Sequence, residues 1–149
     1  MDKLREIPPA LSIKQPWADL ILRREKTIEV REWCPDHRGP LLLHVSGTLD
    51  WKTVELLGYE SPLTLPRSGI VAIADVKEVI EFNSKSWIEL RPKHRVIHPP
   101  VREPLYGLIL SEVIPLRKRV QCRGKRMLFP VPKDAESKLH NELRDLQLF

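Results

Sequence analysis

Long runs rich in valine, isoleucine and leucine follow one another along this chain without regular helical crossovers between them. The longest runs are residues 69–82 and 106–120, and the apolar run 41–46, which we expect to be a central strand, precedes them. Runs of this kind favour strands, and strands in direct succession favour a barrel or a curved sheet. We therefore expect an α+β fold, namely a small mixed β-barrel flanked by about three helices.

Three segments carry helical signals. Pro16 suits the first turn of a helix over residues 17–24, in which the apolar side chains recur on one face. Asp50 can cap a second helix over residues 51–57. Leucines at helical spacing within residues 133–148 predict a terminal helix that docks by one edge.

The remaining segments predict strands and one long loop. Residues 27–33 alternate strictly, which is typical of a strand with one polar and charged face. Residues 126–131 predict a short final strand, and Pro115 is expected to interrupt the run at 106–120. Residues 83–104 contain four prolines and many charges. We expect a long loop there, and loops of that length are often functional.

Length and cysteine content limit the class of protein. A chain of 149 residues with 42% hydrophobic content can bury a core without a metal or a disulfide. We treat residues 1–149 as a single domain with its core at residues 10–131. The two cysteines, Cys34 and Cys122, have no zinc-site spacing, and they favour a reducing compartment over a secreted disulfide scaffold.

We expect no cofactor, no metal and no membrane association. His94 and His98 stand at the i, i+4 spacing of some metal ligands, but two prolines follow at once, so we expect solvated loop residues. The apolar stretches are far shorter than the roughly 20 residues of a membrane helix. Residues 1–6 alternate in charge, unlike a signal peptide. The expectation is a cytoplasmic monomer.

The charge of the chain is unevenly distributed. The formal net charge is +5, and residues 91–126 contain ten Lys or Arg against two acidic residues, so the rest of the chain is slightly acidic. A segregated basic region is the usual footprint of a polyanion partner, because each neutralised phosphate releases counterions. The alternative is a solvated basic face that only keeps the protein in solution.

The most informative chemistry lies where the first helix meets the strand at 27–33. Lys26, Glu29 and Arg31 stand at the spacing Lys-x-x-Glu-x-Arg. Glu29 and Arg31 project from the same face of a strand, so they can pair or flank one ligand, and Lys26 can converge on them. A buried cluster of this kind marks either a binding site or a structural ion-pair network.

Together with its neighbours, this motif resembles a known family. The segments that carry the resemblance are LSIKQPWA at 11–18, KTIEVREW at 26–33, HRGPLLLH at 37–44, GIVA at 69–72, YGLIL at 106–110 and CRGKRMLF at 122–129. They are similar to the ASCH domain, a family of the PUA-like superfamily of small RNA-associated barrels. The resemblance covers residues 10–131 and implies a PUA-like barrel.

The N-terminal motif resembles one group within this family. Residues 12–18 match the pattern S-x-x-Q-P-W-A, and the group with this opening includes the ASCH domain of a human transcriptional coactivator. The usual family motif is Gly-x-Lys-x-x-Glu-x-Arg, and Arg24 stands where the glycine belongs. The chain after the first helix must therefore turn without the residue best suited to left-handed geometry.

The resemblance implies a cleft between the first helix and the barrel that accepts a nucleotide or an RNA segment. Trp17 would be a stacking platform, Lys26 and Arg31 would donate to phosphates or base edges, and Glu29 would accept from a base amine. Tyr106 would lie in the same wall. The predicted nucleic-acid-binding residues combine this cleft with the basic region: Gln15, Trp17, Lys26, Glu29, Arg31, His44, Ser46, Arg117, Lys118, Arg119, Arg123 and Lys125.

Several of these residues could instead have a purely structural role. Trp17 can simply pack the helix on the barrel. His44, in an apolar strand, can be a hydrogen-bonded core histidine. Tyr106 can belong to the barrel core, and the Ser46 hydroxyl can bond its own backbone.

Other functions stay open beside binding of RNA or single-stranded nucleic acid. Some small family members resemble amidohydrolases of acetylated cytidine with a lysine-activated threonine, but Glu29 stands at that threonine's position and Thr27 lies two residues earlier. A metal-independent ribonuclease would need an acid and a base, for which Lys26, Glu29 and Tyr106 are the catalytic candidates, beside His44. A third function is a module whose basic loop binds an acidic protein partner.

Overall fold

The computed structural model describes residues 1–98 and 103–149. Arg102, one of the residues of the basic region, lies outside these ranges. Within them, six strands and five α-helices follow one another as β1 (Ala10–Gln15), α1 (Trp17–Leu22), β2 (Ile28–Arg31), β3 (Gly39–Leu49), α2 (Trp51–Leu57), β4 (Gly69–Glu81), α3 (Ser84–Glu89), α4 (Arg91–His94), β5 (Tyr106–Gln121), β6 (Leu128–Phe129) and α5 (Lys133–Asp145).

The six strands form one sheet in the order β2-β5-β4-β3-β1-β6. β1 pairs with β3 in parallel, whereas all other neighbouring strands are antiparallel. The α+β class is confirmed, but the sheet is not closed into the expected barrel. β6 has two residues and offers little backbone for pairing with β2, the other edge.

β3 lies inside the sheet, and its apolar side chains are buried on both faces. Leu41 and Leu43 belong to a core that includes Ile21 of α1. Leu42 belongs to a second core that includes Leu139 of α5. The prediction of a central strand is confirmed, because a continuous apolar run is what a strand covered on both faces requires.

The three predicted helices are present, and side chains accept hydrogen bonds at the starts of α1 and α2. The backbone N–H of Asp19 in α1 donates to the Gln15 side-chain carbonyl at 2.9 Å. The backbone N–H of Thr53 in α2 donates to the Asp50 carboxylate at 3.1 Å, which is the predicted cap. α5 ends at Asp145, three residues before the predicted end.

The chain leaves α1 through a left-handed residue, as the family comparison led us to expect. Arg24 has a φ of 61°, and its Nη2 donates a hydrogen bond of 2.9 Å to the carbonyl of Leu110. The backbone N–H of Lys26 then donates to the carbonyl of Leu20 at 3.1 Å. After this tight turn, the Lys26 ammonium lies beside the Trp17 ring of α1.

The predicted loop at residues 83–104 is wrong in its described part, which contains α3 and α4. Asn83 and Ser86 form a reciprocal capping box at the start of α3. Pro92 lies in the first turn of α4, where no backbone N–H is needed. The described residues therefore hold five α-helices rather than about three. No described helix has both the length and the apolar character needed to cross a membrane.

Two strands also differ from expectation. β5 continues through Pro115, where we predicted an interruption. Pro115 is exposed and lies opposite Ala72, next to a register irregularity of the β4–β5 pairing, where a missing N–H is tolerated. β1 was not predicted as a strand, although it alternates well enough to bury Leu11 and Ile13.

Candidate functional site

A cleft of about 1540 Å³ opens beside α1 and is lined by residues of β1, β2 and β3 and by the segment 121–127. Seven Lys or Arg and four acidic residues are among the described residues that line it, so its wall is positively charged. We call Lys26, Glu29 and Arg31 the floor of the cleft, because two of the three are buried. The floor is positioned by the turn after α1 and by β2.

Lys26 is 1% exposed and contacts three groups. Its Nζ donates to the carbonyl of His94 at 2.6 Å, lies 3.6 Å from Glu29 Oε1 and sits 4.6 Å from the centroid of the Trp17 ring. Burial lowers the pKa of Lys26 to about 8, although the charge of Glu29 acts in the opposite direction. Such a lysine can hold an anion or accept a proton.

Glu29 and Arg31 are paired on one face of β2. The Nε and Nη2 atoms of Arg31 donate to Glu29 Oε2 at 3.1 and 2.8 Å. The same Nη2 donates to the backbone carbonyl of Ser12 at 2.8 Å, which links β2 to β1 across the open side of the sheet. The floor therefore presents a fixed guanidinium, partly exposed, beside a fixed carboxylate.

α1 presents Trp17 to the cleft. The indole Nε1 donates to Asp50 Oδ2 at 2.9 Å, and Asp50 also caps α2, so the ring is held between two helices. Burial on its own would raise the pKa of Asp50, but the hydrogen bonds from Thr53 and Trp17 hold it below its usual value. Asp50 therefore stays an ionised acceptor, and Lys26 covers part of the Trp17 ring.

His44 lies at the cleft wall with both ring nitrogens engaged. Nε2 lies 2.8 Å from the carbonyl of Cys122, and Nδ1 lies 2.9 Å from the Ser12 hydroxyl. Burial lowers the pKa of His44, although the contact with the Cys122 carbonyl acts the other way. His44 is therefore neutral at neutral pH, and its ring is fixed by these two partners.

The structure places the other predicted wall residues differently. Gln15 is fully buried, and its side chain connects Pro66 and the start of α1 rather than lining the cleft. Ser46 lines the cleft, and its hydroxyl donates to the carbonyl of Thr48 at 3.2 Å. Tyr106 pairs with Arg31 across β2 and β5 but is not among the described residues that line the cleft.

The six Lys or Arg residues at 117–126 in the basic region separate into two groups. Arg123, Lys125 and Arg126 line the cleft; we call them the rim. All three are exposed, and no side-chain hydrogen bond or ion pair engages them within residues 1–98 and 103–149. Arg126 was not among our predicted binding residues, although it belongs to the same basic run.

The second group, Arg117, Lys118 and Arg119, lies on β5 outside the cleft lining. Arg117 pairs with Asp145 of α5 at 3.4 Å, and the Arg119 guanidinium donates to the carbonyl of Arg67. The structure thus does not bring this group to the floor. Its contribution to binding stays a prediction.

His94 corrects our expectation of a solvated loop histidine. It is fully buried in α4, its Nε2 lies 2.8 Å from the carbonyl of Trp87, and its Nδ1 accepts from the backbone N–H of Val96 at 3.0 Å. Both ring nitrogens are thus occupied by the protein. No group of metal-ligating side chains occurs among the described residues. The backbone carbonyl of His94 holds the Lys26 ammonium.

Among the cleft residues that sequence reasoning missed are Ser12 and Trp87. Ser12 stood in the family motif, but its position opposite His44 follows from the register of β1 with β3, and β1 was not predicted. Trp87 lines the cleft from α3 and stacks on His94 with ring centroids 4.1 Å apart. The capping box at Asn83 was the signal that could have placed Trp87 on a helix.

The fold and the cleft define a small α+β protein with a positively charged cleft. The model of the ASCH domain family matches residues 11–137, and the chain therefore belongs to this family, which is generally related to nucleic acids. The resemblance seen in the sequence is thus confirmed. No curated protein matches the chain.

Solved structures show the same fold. The crystal structure of ASCH from Zymomonas mobilis superposes with a TM-score of 0.66 at 12% sequence identity, and the match covers 90% of this chain and 94% of that chain. A tyrosine-to-phenylalanine mutant and a serine-to-alanine mutant of the same protein give TM-scores of 0.65 and 0.64 at 12% and 13% identity. Each of these matches covers 91% of this chain and 98% of that chain. At such identities the likeness concerns the fold.

Proposed function

We propose that this protein binds RNA or single-stranded nucleic acid and that its cleft accepts a nucleotide between α1 and the sheet. The observation that carries the proposal is the floor, where Lys26, Glu29 and Arg31 are fixed at the inner end of a positively charged cleft. Buried, mutually fixed charges mark either a functional site or a structural network. The partly exposed Arg31 guanidinium and the family's general relation to nucleic acids favour the functional site.

The residues of the cleft suit the parts of a nucleotide. Trp17 offers a rigid ring for base stacking, which contributes about 1–3 kcal/mol per base in single-strand binding. Arg31 keeps N–H donors beyond those used by Glu29 and Ser12, since its Nη1 makes no hydrogen bond among the described residues. Glu29 supplies an acceptor beside them. The combination can read one base edge while the base stacks.

The rim suits the phosphates. Arg123, Lys125 and Arg126 are exposed and have no ion-pair partner in the part of the chain that the structure describes, so phosphates compete with water alone for them. We expect a nucleic-acid strand that leaves the cleft past the rim to continue toward Arg117–Arg119, which we call the β5 group. This group would contribute weaker phosphate contacts than the rim. Most of the affinity from these charges should be salt-dependent.

One observation favours a second function, metal-independent cleavage of RNA. The pKa of Lys26 is lowered by burial to about 8, so part of the lysine is neutral near neutral pH and can accept a proton. Glu29 lies beside it, whereas Tyr106, the third catalytic candidate, pairs on β5 with Arg31 of β2 and Glu81 of β4 and is not among the described residues that line the cleft. The amidohydrolase function has less support, because Glu29 occupies the threonine position.

The experiment is an incubation of purified protein with labelled single-stranded RNA at two salt concentrations, read for retention and for cleavage. Lys26→Met and the matched surface variant Lys85→Met, whose side chain is exposed on α3, run beside the wild type. Salt-sensitive retention of intact RNA supports the binding function. Cleavage by the wild type that is lost in Lys26→Met and kept in Lys85→Met indicates instead that the cleft is the active site of a ribonuclease. Absence of both contradicts the proposal.

The proposal also includes a cellular location and an oligomeric state. We place the protein in the cytoplasm as a monomer, which is in keeping with two unpaired cysteines, Cys34 and Cys122. An acidic protein partner would give the same salt dependence as RNA. Competition by free nucleotides separates the two, because only a nucleotide cleft is blocked by them.

A further inference from the structure

Trp33 is an aromatic side chain of the cleft that the proposed function does not use. It follows β2 by two residues and stands in the same sequence segment, 26–33, as the three residues of the floor. Three of the four tryptophans of the chain, Trp17, Trp33 and Trp87, line the cleft. A cleft with several aromatic rings can stack more than one base.

Trp33 is accessible, whereas Trp87 is covered by the protein. Trp87 is 4% exposed and stacks on His94. Trp33 is partly exposed, and it packs against the apolar core that includes Leu11 and Leu43. The Trp33 indole N–H makes no hydrogen bond within residues 1–98 and 103–149, and Trp87 Nε1 is the one buried side-chain nitrogen or oxygen there without a partner. The Trp33 ring therefore rests on the core, and its N–H is open to solvent.

The floor connects Trp17 to Trp33 through a chain of contacts. The centroid of the Trp17 ring lies 4.6 Å from Lys26 Nζ, and this Nζ lies 3.6 Å from Glu29 Oε1. The other oxygen of Glu29 accepts a hydrogen bond of 2.8 Å from Arg31. Trp33 is two residues beyond Arg31 and packs against the same apolar core as Trp17. The charged groups of the floor thus have one ring on the side of α1 and a second ring past the end of β2.

The length of β2 decides between one base and two. Lys26, which contacts the Trp17 ring, precedes β2 by two residues, and Trp33 follows β2 by two residues. The ends of a four-residue strand are roughly 10 Å apart, since each residue adds about 3.3 Å. A single base held between two rings needs them only roughly 7 Å apart, twice a van der Waals contact. The two rings therefore suit two neighbouring bases better than the two sides of one base.

We propose that Trp33 is a second stacking platform, so that the cleft accepts two adjacent nucleotides, with one base on Trp17 and the neighbouring base on Trp33. Stacking tolerates any base, because every base has a π face. Trp33 therefore adds affinity for a second nucleotide without adding a preference for its sequence. This inference rests on the proposed binding function.

The test compares an RNA dinucleotide with two ligands that each lack one of its bases. An abasic ribose replaces either the 5′ or the 3′ nucleoside, so the phosphate between them is unchanged. Titration calorimetry measures the affinity of each ligand. For the wild type we expect each abasic ligand to bind roughly tenfold more weakly than the dinucleotide, which is within the range for one stacked base.

Leucine substitutions assign the two bases to the two rings. Trp33→Leu keeps an apolar side chain on the core but removes the flat ring, and it should bind the dinucleotide roughly tenfold more weakly than the wild type does. It should bind one abasic ligand as the wild type does, because the base that Trp33 stacks is already missing there. Trp17→Leu should bind the other abasic ligand as the wild type does. Trp51→Leu, on the exposed side of α2 and outside the cleft lining, is the control and should leave all three affinities unchanged.

A measurement on the wild type covers the case in which Trp33→Leu fails to fold, which thermal melting detects. The indole N–H signal of Trp33 in nitrogen-labelled protein should shift with the dinucleotide and with one abasic ligand, and it should stay in place with the other. Trp33→Phe assigns this signal by its loss. Because Trp33→Phe retains a flat ring, it should keep most of the affinity for the dinucleotide.

The outcomes separate this inference from the function on which it rests. If neither longer single-stranded RNA nor the dinucleotide binds, both the binding function and the role of Trp33 are overturned. If longer RNA binds but the dinucleotide does not, or if the Trp33 signal stays in place with all three ligands, only the role of Trp33 is overturned. If Trp17→Leu and Trp33→Leu are both insensitive to the loss of the same base, one base lies between the two rings, and the two-nucleotide site is overturned. Insensitivity to opposite bases supports it.

Discussion

The floor and the rim of the cleft both carry a net positive charge, but in opposite environments. In the floor, Lys26 and Glu29 are buried, and every charged group has a partner within the protein. On the rim, Arg123, Lys125 and Arg126 are exposed, and the described residues engage none of their side chains. Lysine and arginine thus occur once as charges fixed by buried partners and once as exposed charges that the described residues do not engage.

This difference separates two contributions to binding. Buried charges are screened little by salt and are sensitive to small displacements, so they suit the recognition of one base. Exposed charges are strongly screened and tolerant of geometry, so they suit a sequence-independent phosphate track. The net charge of the chain alone would not have distinguished them.

The largest effect is expected from removing the floor charge. Lys26→Met should weaken RNA binding roughly 10- to 100-fold, because hydrogen bonds of a charged group contribute about 1.5–3 kcal/mol, and the change also releases Trp17 and Glu29. The melting temperature should be equal to or above that of the wild type. The buried ammonium costs stability, which its lowered pKa reflects, and Glu29 keeps Arg31 as its partner.

Affinity by titration and melting by circular dichroism measure the two effects. Lys85→Met, on the exposed face of α3, is the control and should change neither. A cooperative loss of the fold in Lys26→Met would show instead that the floor is a structural ion-pair network.

The next effect is expected at Trp17. Trp17→Ala should weaken binding about tenfold through lost stacking, whereas Trp17→Phe should retain most of the affinity because a flat ring remains. Fluorescence titration with single-stranded RNA measures both. Trp51→Ala, on the exposed side of α2, serves as a control. Equal losses in Trp17→Ala and Trp17→Phe would point to the hydrogen bond with Asp50 rather than to stacking.

The rim and the β5 group provide a matched comparison of equal charge. Reversing Arg123, Lys125 and Arg126 to Glu should weaken binding of all sequences alike and make the dependence of log affinity on log salt shallower by roughly two, since each single-strand phosphate contributes about 0.7. Reversing the β5 group, residues 117–119, should have a smaller effect in the same direction. Affinities over a salt series measure both, and a larger effect of the β5 group would move the phosphate track away from the cleft.

The smallest effect is expected from pH. Burial lowers the pKa of both His44 and His94, and the charges of Lys26 and Arg91 add to the shift at His94. The folded state therefore binds fewer protons than the unfolded state, in which histidine titrates near 6.5. The stability from these neutral rings should be present above about pH 6.5 and fall as the pH drops below it.

Melting temperatures between about pH 5 and pH 8 measure this effect in the free protein. Added salt should change the melting temperature little, because salt weakens exposed ion pairs and the rim residues form none within the described residues. A melting temperature that rises as the pH falls below 6.5 would contradict the burial of neutral histidines beside the floor.

The sequence predicted those parts of the fold in which local signals agree with packing. The run at 41–46 lies in β3 because apolar residues on both faces fit only an interior strand. Asp50 caps α2 because its carboxylate satisfies an N–H that the helix leaves unpaired. The Lys26, Glu29 and Arg31 spacing predicted their convergence, since alternate residues of a strand share one face.

The remaining parts depend on contacts between distant segments. The two helices at residues 84–94 were hidden by prolines, of which Pro92 lies where a helix tolerates it. The open sheet follows from the shortness of β6, which no periodicity reveals in advance. Ser12 meets His44 only through the register of β1 with β3, and the carbonyl that holds Lys26 belongs to His94, 68 residues further along the chain.

The most direct test of the central claim uses the indole N–H signals of the four tryptophans in nitrogen-labelled protein titrated with short single-stranded RNA. Trp17 lines the cleft, whereas Trp51 is 55% exposed on α2 and does not line it. The account predicts that the Trp17 signal shifts and saturates with RNA while the Trp51 signal stays in place. RNA binding that leaves the Trp17 signal unmoved would contradict a nucleotide-accepting cleft at this site.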